Sequence, residues 1–302
     1  MRHRSGPTLA GRPGPSGERG LALVAVLWIT AALAILVMSL SETTRTDTQV
    51  VQLYKERVTA RTVADGAIEV GGRWLVFNGA QAQRPQTLSV SVGEHEVEVD
   101  VTPETGLIDL NHAGPALLQQ MFVVSAGLSA REAGQLAERI VVWRDKGEVT
   151  EEAAWPAGAD NPPRRGPFYT VQDLRQIPGV TPEIYDSVSR LLIAHWSAHR
   201  SVVNPLAAST DVLLVLSGGD QGAVERLTAD RADEEREMDT SILNGEFIGR
   251  QGTSAFRLDA RVRFPSGREY RRTAWINLSP RSRGATPWHV WQVEPLRSMP
   301  SD

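Results

Sequence analysis

The chain has no cysteine among its 302 residues, so no disulfide can form and cysteine usage indicates no redox compartment. Its formal net charge is only −4, which argues against bulk electrostatic binding to DNA. No HExxH, GxSxG, P-loop or GxGxxG stands in a credible structural context. His195 and His199 could share a helix face, but no third metal ligand stands near them. These absences predict a protein that is not an enzyme.

One long apolar run stands out, LALVAVLWITAALAILVMSL from residue 21 to residue 40. Twenty uncharged residues form a helix of about 30 Å, the hydrocarbon thickness of a bilayer. The arm before it carries four arginines against one acid, Glu18. The positive-inside rule therefore places the N-terminus in the cytoplasm and the bulk outside. We expect a single-pass membrane span over 21–41.

Two kinds of processing are compatible with this run. A secretory signal peptide would be cut after it, near Ser39 or Ser41, but its apolar region is usually about 7–15 residues long. The junction at Gly20 instead resembles a prepilin leader, which is cut after the glycine so that the helix is kept. Residues 1–20 would then be the leader, and Leu21 would begin the mature chain.

The apolar pattern continues beyond the membrane run. From Thr43 to Phe77, apolar or small residues recur at roughly helical spacing between charged ones. A single helix from 21 to about 77 would be ~85 Å long, which no globular domain needs. A membrane helix followed by a separate surface helix is the alternative. The stripe that we expect to contact a partner contains Val50, Tyr54, Val58, Ala64, Ala67 and Gly71.

Alternating apolar residues predict an antiparallel sheet. TLSVSVGEHEVEVDV (87–101) predicts a hairpin, and runs at 256–264, 270–278 and 288–293 predict three more strands. Residues 106–200 between them carry helix-start signals at Gly114–Pro115, Ser129, Thr170 and Thr181. The sequence therefore predicts an α+β fold in which helices interrupt one sheet.

A weaker echo follows the first helical unit. LIDLNHAGPALLQQM (107–121) and SVVNPLAASTDVLLVLSG (201–218) share alternating apolar residues, an asparagine, a small-residue turn and an apolar helix. This predicts a second, smaller helical unit at 201–240. Segments 42–105 and 241–302 would then supply the helix, the first strands and the C-terminal strands of the sheet domain.

The loop RDKGEVTEEAAWPAGADNPPRRGP (144–167) concentrates oxygen-bearing side chains. Calcium takes six to eight oxygen ligands, and loops of this length are usually functional or disordered. No EF-hand pattern is present, so a solvated acidic loop is the alternative to a calcium site. The candidate ligands are Asp145, Glu151, Glu152, Asp160 and Asn161.

Taken in order, several motifs resemble the type II secretion minor pseudopilin K, the GspK family. They are the Gly20 junction with its apolar helix, ADGA (64–67), TGLIDLN (105–111), VWRD (142–145), PFYTVQDL (167–174) and PGVTPEIY (178–185). The resemblance runs nearly end to end and depends on the order and spacing of these motifs. It implies a pilin-like long N-terminal helix packed on an antiparallel sheet, with a large SAM-like or helix-hairpin-helix-like all-α insertion.

The resemblance also implies a function. A non-enzymatic minor pseudopilin would sit at the tip of a pseudopilus, supporting its initiation and protein export across the outer membrane. Its partners would be minor pseudopilins I and J, the prepilin peptidase and the inner membrane, with no nucleic acid. Calcium in the helical insertion is implied too, although relatives tend to carry an acid where this chain has Gly147.

Ala25 suits a tip position within this resemblance. Ordinary pseudopilins carry Glu at the fifth position after the cut, and its proposed partner is the N-terminal amine of a neighbouring subunit. A tip subunit has no neighbour ahead of it, and an unpaired carboxylate in a membrane is costly. Without the resemblance, Ala25 is simply one more apolar membrane residue.

The alternative function is a membrane-anchored helix-hairpin-helix protein that binds DNA at the cell surface. IPGVT (177–181) resembles the hairpin of such modules, whose backbone N–H groups bind phosphate. The usual second glycine is replaced by Thr181, and Arg175 and Arg190 are among the few basic residues nearby. A salt-dependent gel shift would detect this binding.

We predict cleavage between Gly20 and Leu21, because an uninterrupted apolar helix follows the glycine directly. N-terminal sequencing of the membrane-extracted protein should begin at Leu21, with a methylated amine if the resemblance holds. A mature chain that begins near Ser41, or an intact Met1, would contradict this prediction.

Overall fold

A computed structural model of the chain describes residues 18–79, 81–145, 155–156, 162–194, 201–233, 238–278 and 287–299, without the side chains of 18–21 and 37–49. The chain divides into two compact units, Met1–Thr59 and Ala60–Asp302.

One helix, α1, runs from Glu18 to Asn78. It confirms the prediction of one unbroken helix over the alternative of two separate ones. In the first unit, the described side chains of 22–36 are exposed. The predicted membrane span, 21–41, also includes 37–41, whose side chains lie outside the described set. Among the residues described with their side chains, no helix is both long enough and apolar enough to cross a membrane.

The described residues of the second unit contain eight strands, which are β1 (Gln86–Val92), β2 (His95–Pro103), β3 (Ile108–Asp109), β4 (Leu192–Ile193), β5 (Ala255–Arg263), β6 (Glu269–Asn277), β7 (His289–Val293) and β8 (Arg297–Met299). Six of them form one antiparallel sheet in the order β1–β2–β5–β6–β7, with β8 also beside β6. The predicted hairpin and the three predicted C-terminal strands are confirmed as members of this sheet.

Alternation along the strands gives the sheet one apolar and one polar face. Val97, Val99 and Val101 of β2 are buried in a core that includes the last turns of α1. Charged and hydroxyl side chains occupy the opposite face. On β5 and β6 they are Arg257, Asp259, Arg261, Arg271 and Thr273.

The last turns of α1 lie close to the sheet because the residues that face it are small. Ala60, Ala64 and Ala67 are fully buried. A Cβ atom added to Gly71 would lie only 2.8 Å from Leu258 Cδ2. A larger side chain at these positions would therefore force the helix away from the sheet or distort the strand beneath it.

Two short strands in succession make the C-terminal edge of the sheet. β7 pairs with one half of β6 and β8 with the other half, and the Glu294 N–H donates to the Thr273 carbonyl between them. Sequence reasoning missed β8, because Arg297-Ser298-Met299 is too short to show an alternating apolar pattern.

The insertion between β2 and β5 contains the helices α2 (Pro115–Ala126), α3 (Ala130–Arg144), α4 (Pro182–Val188), α5 (Thr210–Leu216) and α6 (Gln221–Ala232). The predicted start signals are confirmed. Ser129 and Glu132 form a capping box at α3, and the Thr181 hydroxyl accepts a backbone N–H at α4. The capping box at Thr170 begins a 3-10 helix, Val171–Gln176, instead of an α-helix.

A parallel pairing at the base closes each helical unit. In the first helical unit β3 pairs with β4, so that Ile108 lies opposite Leu192. In the second helical unit Val203 forms a parallel bridge with Ile248. The two units therefore share a topological feature, in agreement with the echo between their sequences. Pairs this short leave no periodic signal, and sequence reasoning missed both.

The two asparagines of the echo have comparable roles. Asn111 Nδ2 donates to the Phe168 carbonyl at 3.0 Å, and its Oδ1 accepts the Phe168 N–H at 2.7 Å. Asn204 Nδ2 donates to the Gln251 carbonyl at 2.9 Å. Each amide thus ties the start of its unit to a distant part of the chain.

The buried residues of the two helical units form a single hydrophobic core. The Gln120 side chain also donates to the Val215 carbonyl across the two units. Leu243 and Phe247 are buried in the same core. The second helical unit therefore extends to Ile248, beyond the predicted limit of 240. The insertion therefore packs as one body with two closed halves.

Gly106 yields a stability prediction, because a Cβ atom there would lie 1.9 Å from the Ala207 carbonyl oxygen. The clash is with backbone and cannot be relieved by a side-chain rotation. We predict that Gly106→Ala lowers the free energy of unfolding by more than about 3 kcal/mol. Gly245→Ala is the control, with nothing within 4 Å of the added atom, and should change it by less than about 1 kcal/mol. Denaturant unfolding of the full chain measures both, and equal values would contradict the prediction.

Candidate functional site

The predicted processing residues lie near the start of α1. Gly20 and Leu21 are helical, with side chains outside the described set, and Ala25 is exposed. The helix begins at Glu18, before the predicted cut. The position of the cut and the role of Ala25 stay predictions.

The first half of the predicted partner stripe is apolar surface that the first unit leaves uncovered. Val50, Tyr54 and Val58 are exposed by 44%, 68% and 64%. Val51 and Leu53 beside them are exposed as well. Contiguous apolar side chains of this size on a surface are typical of an interaction site.

The second half of the predicted stripe is corrected by the structure. Ala64 and Ala67 are fully buried, and Gly71 packs against Leu258 of β5. These three residues contact the protein's own sheet and are not available to a partner. Helical periodicity identifies an apolar face but does not identify what covers it.

Sequence reasoning missed apolar residues on the outer side of the same helix segment. Val70, Val76 and Phe77 are exposed by 47%, 37% and 75%. Val70 and Phe77 are seven residues apart and therefore lie on one side of the helix. Their helical spacing was visible in the sequence, but the stripe of small residues at Ala64, Ala67 and Gly71 gave the more regular pattern and was chosen instead.

Of the predicted calcium ligands, the structure describes Asp145 alone. Its side chain is 49% exposed, and its carboxylate lies 3.6 Å from Arg144 Nε. In the described part of the chain, no three His, Cys, Asp or Glu side chains come together as a metal site would require. Outside the described residues lie Glu151, Glu152, Asp160, Asn161, His195 and His199.

The 177–181 hairpin is a tight turn between two short helices. Gly179 has a φ of 92°, a left-handed conformation that favours glycine. Two of the nearby cations are engaged inside the protein. Arg139 donates to the Pro178 carbonyl at 2.7 Å, and Arg175 lies over a tyrosine ring at 5.0 Å. Arg139 therefore lies at the turn itself, and both cations already have partners within the fold.

A cleft of about 540 Å³ lies between the polar face of the sheet and the helical insertion. Residues of β1, β2, β5 and β6 form one wall, and Arg190, Ser209, Thr210 and Arg231 of the insertion contribute to the other. A second pocket shares four of the lining residues and is also lined by Arg297. Sequence reasoning missed the cleft, because it forms only where strands distant in sequence meet the insertion.

Three arginines, two of which line this cleft, stand side by side on the polar face of the sheet. Arg261 of β5 is the direct partner of Arg271 of β6, which is in turn the direct partner of Arg297 of β8. Like charges directly opposite each other on neighbouring strands are destabilising. Arg261 is compensated by Asp100 at 3.0 Å and Glu98 at 3.3 Å.

Arg271, the middle arginine, is the least compensated of the three. Burial lowers its pKa, the positive charge of Arg190 lowers it further, and Asp259 acts in the opposite direction. A guanidinium nevertheless stays charged at neutral pH. Among the described residues, its side chain has no hydrogen bond or ion pair within normal distance.

Asp259 is already fully engaged by other groups. Its carboxylate accepts Arg257 Nε at 2.8 Å and the Thr273 hydroxyl at 2.6 Å. Burial acts to raise the pKa of this carboxyl group, but Arg257 and Thr273 together hold it below its usual value. The carboxylate is therefore ionised at neutral pH and neutralises Arg257 before it can neutralise Arg271.

Comparisons with known proteins give a likeness in structure but none in sequence. No protein-family model matches the chain, and no curated protein matches it in sequence. A chain of the crystallised GspK–GspI–GspJ complex of the type 2 secretion system from enterotoxigenic Escherichia coli superposes with a TM-score of 0.49 at 14% identity. The superposition covers 83% of this chain and 98% of that chain. A likeness at this level does not establish the family.

The calcium prediction is testable by ligand linkage. If the 145–161 segment binds calcium, a chelator should lower the melting temperature of the full chain, because a ligand that binds only the folded state stabilises it. At a hundredfold excess over Kd the effect is about 2.7 kcal/mol. Replacing Glu151 and Glu152 by Ala should abolish the difference, whereas Glu94→Ala, in the distant hairpin turn, should keep it. Equal melting temperatures with calcium and chelator would leave a solvated acidic loop.

Proposed function

We propose that this protein is a non-enzymatic minor pseudopilin of the K type, located at the tip of a type II secretion pseudopilus. The main support is that the motifs shared with the GspK family occur in order in a chain with a pilin-like architecture. The end of a 61-residue helix packs through small residues on an antiparallel sheet. A helical insertion interrupts that sheet between β2 and β5. We propose that the insertion is SAM-like or helix-hairpin-helix-like, as the motifs imply.

The insertion supports a tip position on steric grounds. It occupies residues 104–254, about half of the chain, and has its own hydrophobic core. A subunit so bulky is hard to fit along the shaft of a helical filament, whereas the tip has open space around it. Ala25 fits the same position, because a tip subunit has no neighbour to pair with a carboxylate in the membrane.

The proposed topology follows from the N-terminal sequence. Residues 1–20 would be a cytoplasmic leader that the prepilin peptidase removes. The apolar run 21–41 would anchor the mature chain in the inner membrane, and the second unit would lie in the periplasm. The role of the protein would be to start pseudopilus assembly and support export, with no chemistry of its own.

The proposed partners are minor pseudopilins I and J, bound through the uncovered apolar side of α1. Val50, Tyr54 and Val58 supply such a surface within the first unit. Helices of partner subunits would cover it in the manner of an amphipathic helix packing on another. Ala64, Ala67 and Gly71 are excluded from this surface because the sheet already covers them.

Two aspartate substitutions separate binding from folding. Val58→Asp, at an exposed position, should reduce co-purification of the full chain with components I and J at least tenfold and leave its melting temperature nearly unchanged. Ala67→Asp should instead lower the free energy of unfolding by about 3–5 kcal/mol, because it places a charge in the helix–sheet core. Gln52→Asp, on another side of the same exposed segment, is the matched control and should bind normally.

The outcome in cells tests the function itself. Deleting the gene should impair secretion, and the Val58→Asp variant should fail to restore it. A full chain that never co-purifies with components I and J, in cells whose secretion survives the deletion, would contradict the proposal.

A further inference from the structure

The cleft between sheet and insertion is positively charged in a protein that is negative overall. The chain has a formal net charge of −4. Five arginines and three acids line the cleft and leave an excess of two positive charges. They are Arg190, Arg231, Arg257, Arg261 and Arg271 against Asp100, Asp259 and Glu269.

Each of the three acids already forms an ion pair with a neighbouring arginine. Asp259 pairs with Arg257 and Asp100 with Arg261. Glu269 pairs at 2.8 Å with Arg263, which is not among the residues that line the cleft. The excess charge therefore resides on the remaining three arginines.

Those three arginines have no carboxylate within ion-pair distance among the described residues. Arg231 donates to the Ala208 carbonyl, which leaves its charge uncompensated. Arg190 is exposed at the rim, and Arg271 is partly buried in the wall. All three present guanidinium groups, whose planar N–H forks match the geometry of carboxylate and phosphate oxygens.

The arginine row that includes Arg271 destabilises the sheet by repulsion between like charges. Arg261, Arg271 and Arg297 are direct neighbours across three strands, and such like-charged rows destabilise a sheet. If stability alone determined the sequence, a neutral residue at one of the three positions would be favoured because it would reduce the repulsion. Retained costs of this kind are typical of binding sites, where function is traded against stability.

The shape and lining of the cleft indicate the size of the ligand. A volume of about 540 Å³ lies in the range of small-molecule sites, roughly 300–1,000 Å³. Thr87, Ser209 and Thr210 line it beside the arginines, together with Val101 and Met299. A polar cleft between two walls suits a compact, highly charged molecule better than the apolar side chains of a protein surface.

We propose that this cleft binds a small dianion whose charges lie on oxyanion groups, a phosphate monoester or a dicarboxylate, with Arg271 at the centre of the site. Three uncompensated guanidinium groups, those of Arg190, Arg231 and Arg271, can accept two negative charges without reversing the sign of the cleft. The Thr87 hydroxyl already donates to Asp100 at 2.8 Å. The guanidinium forks and the hydroxyl groups of Ser209 and Thr210 supply the donors for several oxygens at once. The site lies wholly within residues 60–302 and does not depend on the proposed role in secretion.

Calorimetric titration of the full chain in detergent tests the proposal. The probes are inorganic phosphate, glycerol phosphate, succinate and a short acidic peptide, each compared with sodium chloride at the same ionic strength. At least one dianion should bind with saturable heat while chloride does not. The tighter binding of the two classes shows whether the ligand carries phosphate or carboxylate groups.

Substitutions in the cleft assign the binding to Arg271. Arg271→Gln should weaken the apparent Kd at least tenfold and, without ligand, should leave the melting temperature equal or higher because it relieves the like-charged row. Arg190→Gln, at the exposed rim, should also weaken binding and cannot disturb the core. Arg226→Gln, exposed on α6 and away from the cleft, is the control and should keep the affinity.

Three results would overturn the proposal. The first is the absence of any saturable heat beyond that of chloride. The second is unchanged affinity in both Arg271→Gln and Arg190→Gln. The third is binding of an acidic peptide at the cleft while all three small dianions fail, which would make it a surface for a partner protein instead.

Discussion

The close packing of the last turns of α1 on the sheet is the contact on which the rest of the structure depends. The sheet is assembled from two distant segments, a hairpin before the insertion and four strands after it. Gly71 lies over both, because a Cβ atom there would meet Leu258 of β5 at 2.8 Å and Val99 of β2 at 3.5 Å. The helix thus holds the two segments together, and it can do so only while Ala60, Ala64 and Ala67 stay small.

Because α1 covers the apolar face, the insertion meets the polar face of the same sheet. Its attachment there includes a small apolar cluster of Leu107, Ile193 and Trp275. Arg257 lies over the Trp275 ring at 5.8 Å, a cation–π contact with one member of this cluster. Beyond this point the charged rows of the sheet line the cleft and are only partly buried, since complete burial would require a partner for every arginine. The cleft is therefore the natural result of seating an insertion on a charged surface.

Patterns with a short period predicted most of the fold. Alternating valines predicted β1 and β2, and capping boxes at Ser129 and Thr170 predicted helix starts, because each of these signals acts within a few residues. Features that depend on long-range pairing could not be predicted. The β3–β4 pair and the arginine row exist only through registers between distant segments. The apolar stripe on α1 was predicted as a face, but its division between sheet and solvent required the fold.

The parallel pairs at the base of the insertion have a consequence for the order of folding. An unfolded segment of about 150 residues between β2 and β5 would impose a large loop-closure entropy on the pairing of those strands. The insertion shortens this loop when it folds first. Ile108 then lies beside Leu192, and Val203 lies beside Ile248, so each half begins and ends at neighbouring points. Contacts within each half are local in sequence compared with the β2–β5 ladder, and local contacts form fastest. The helical body would therefore act as a clamp that brings the two edges of an incomplete sheet within reach of each other.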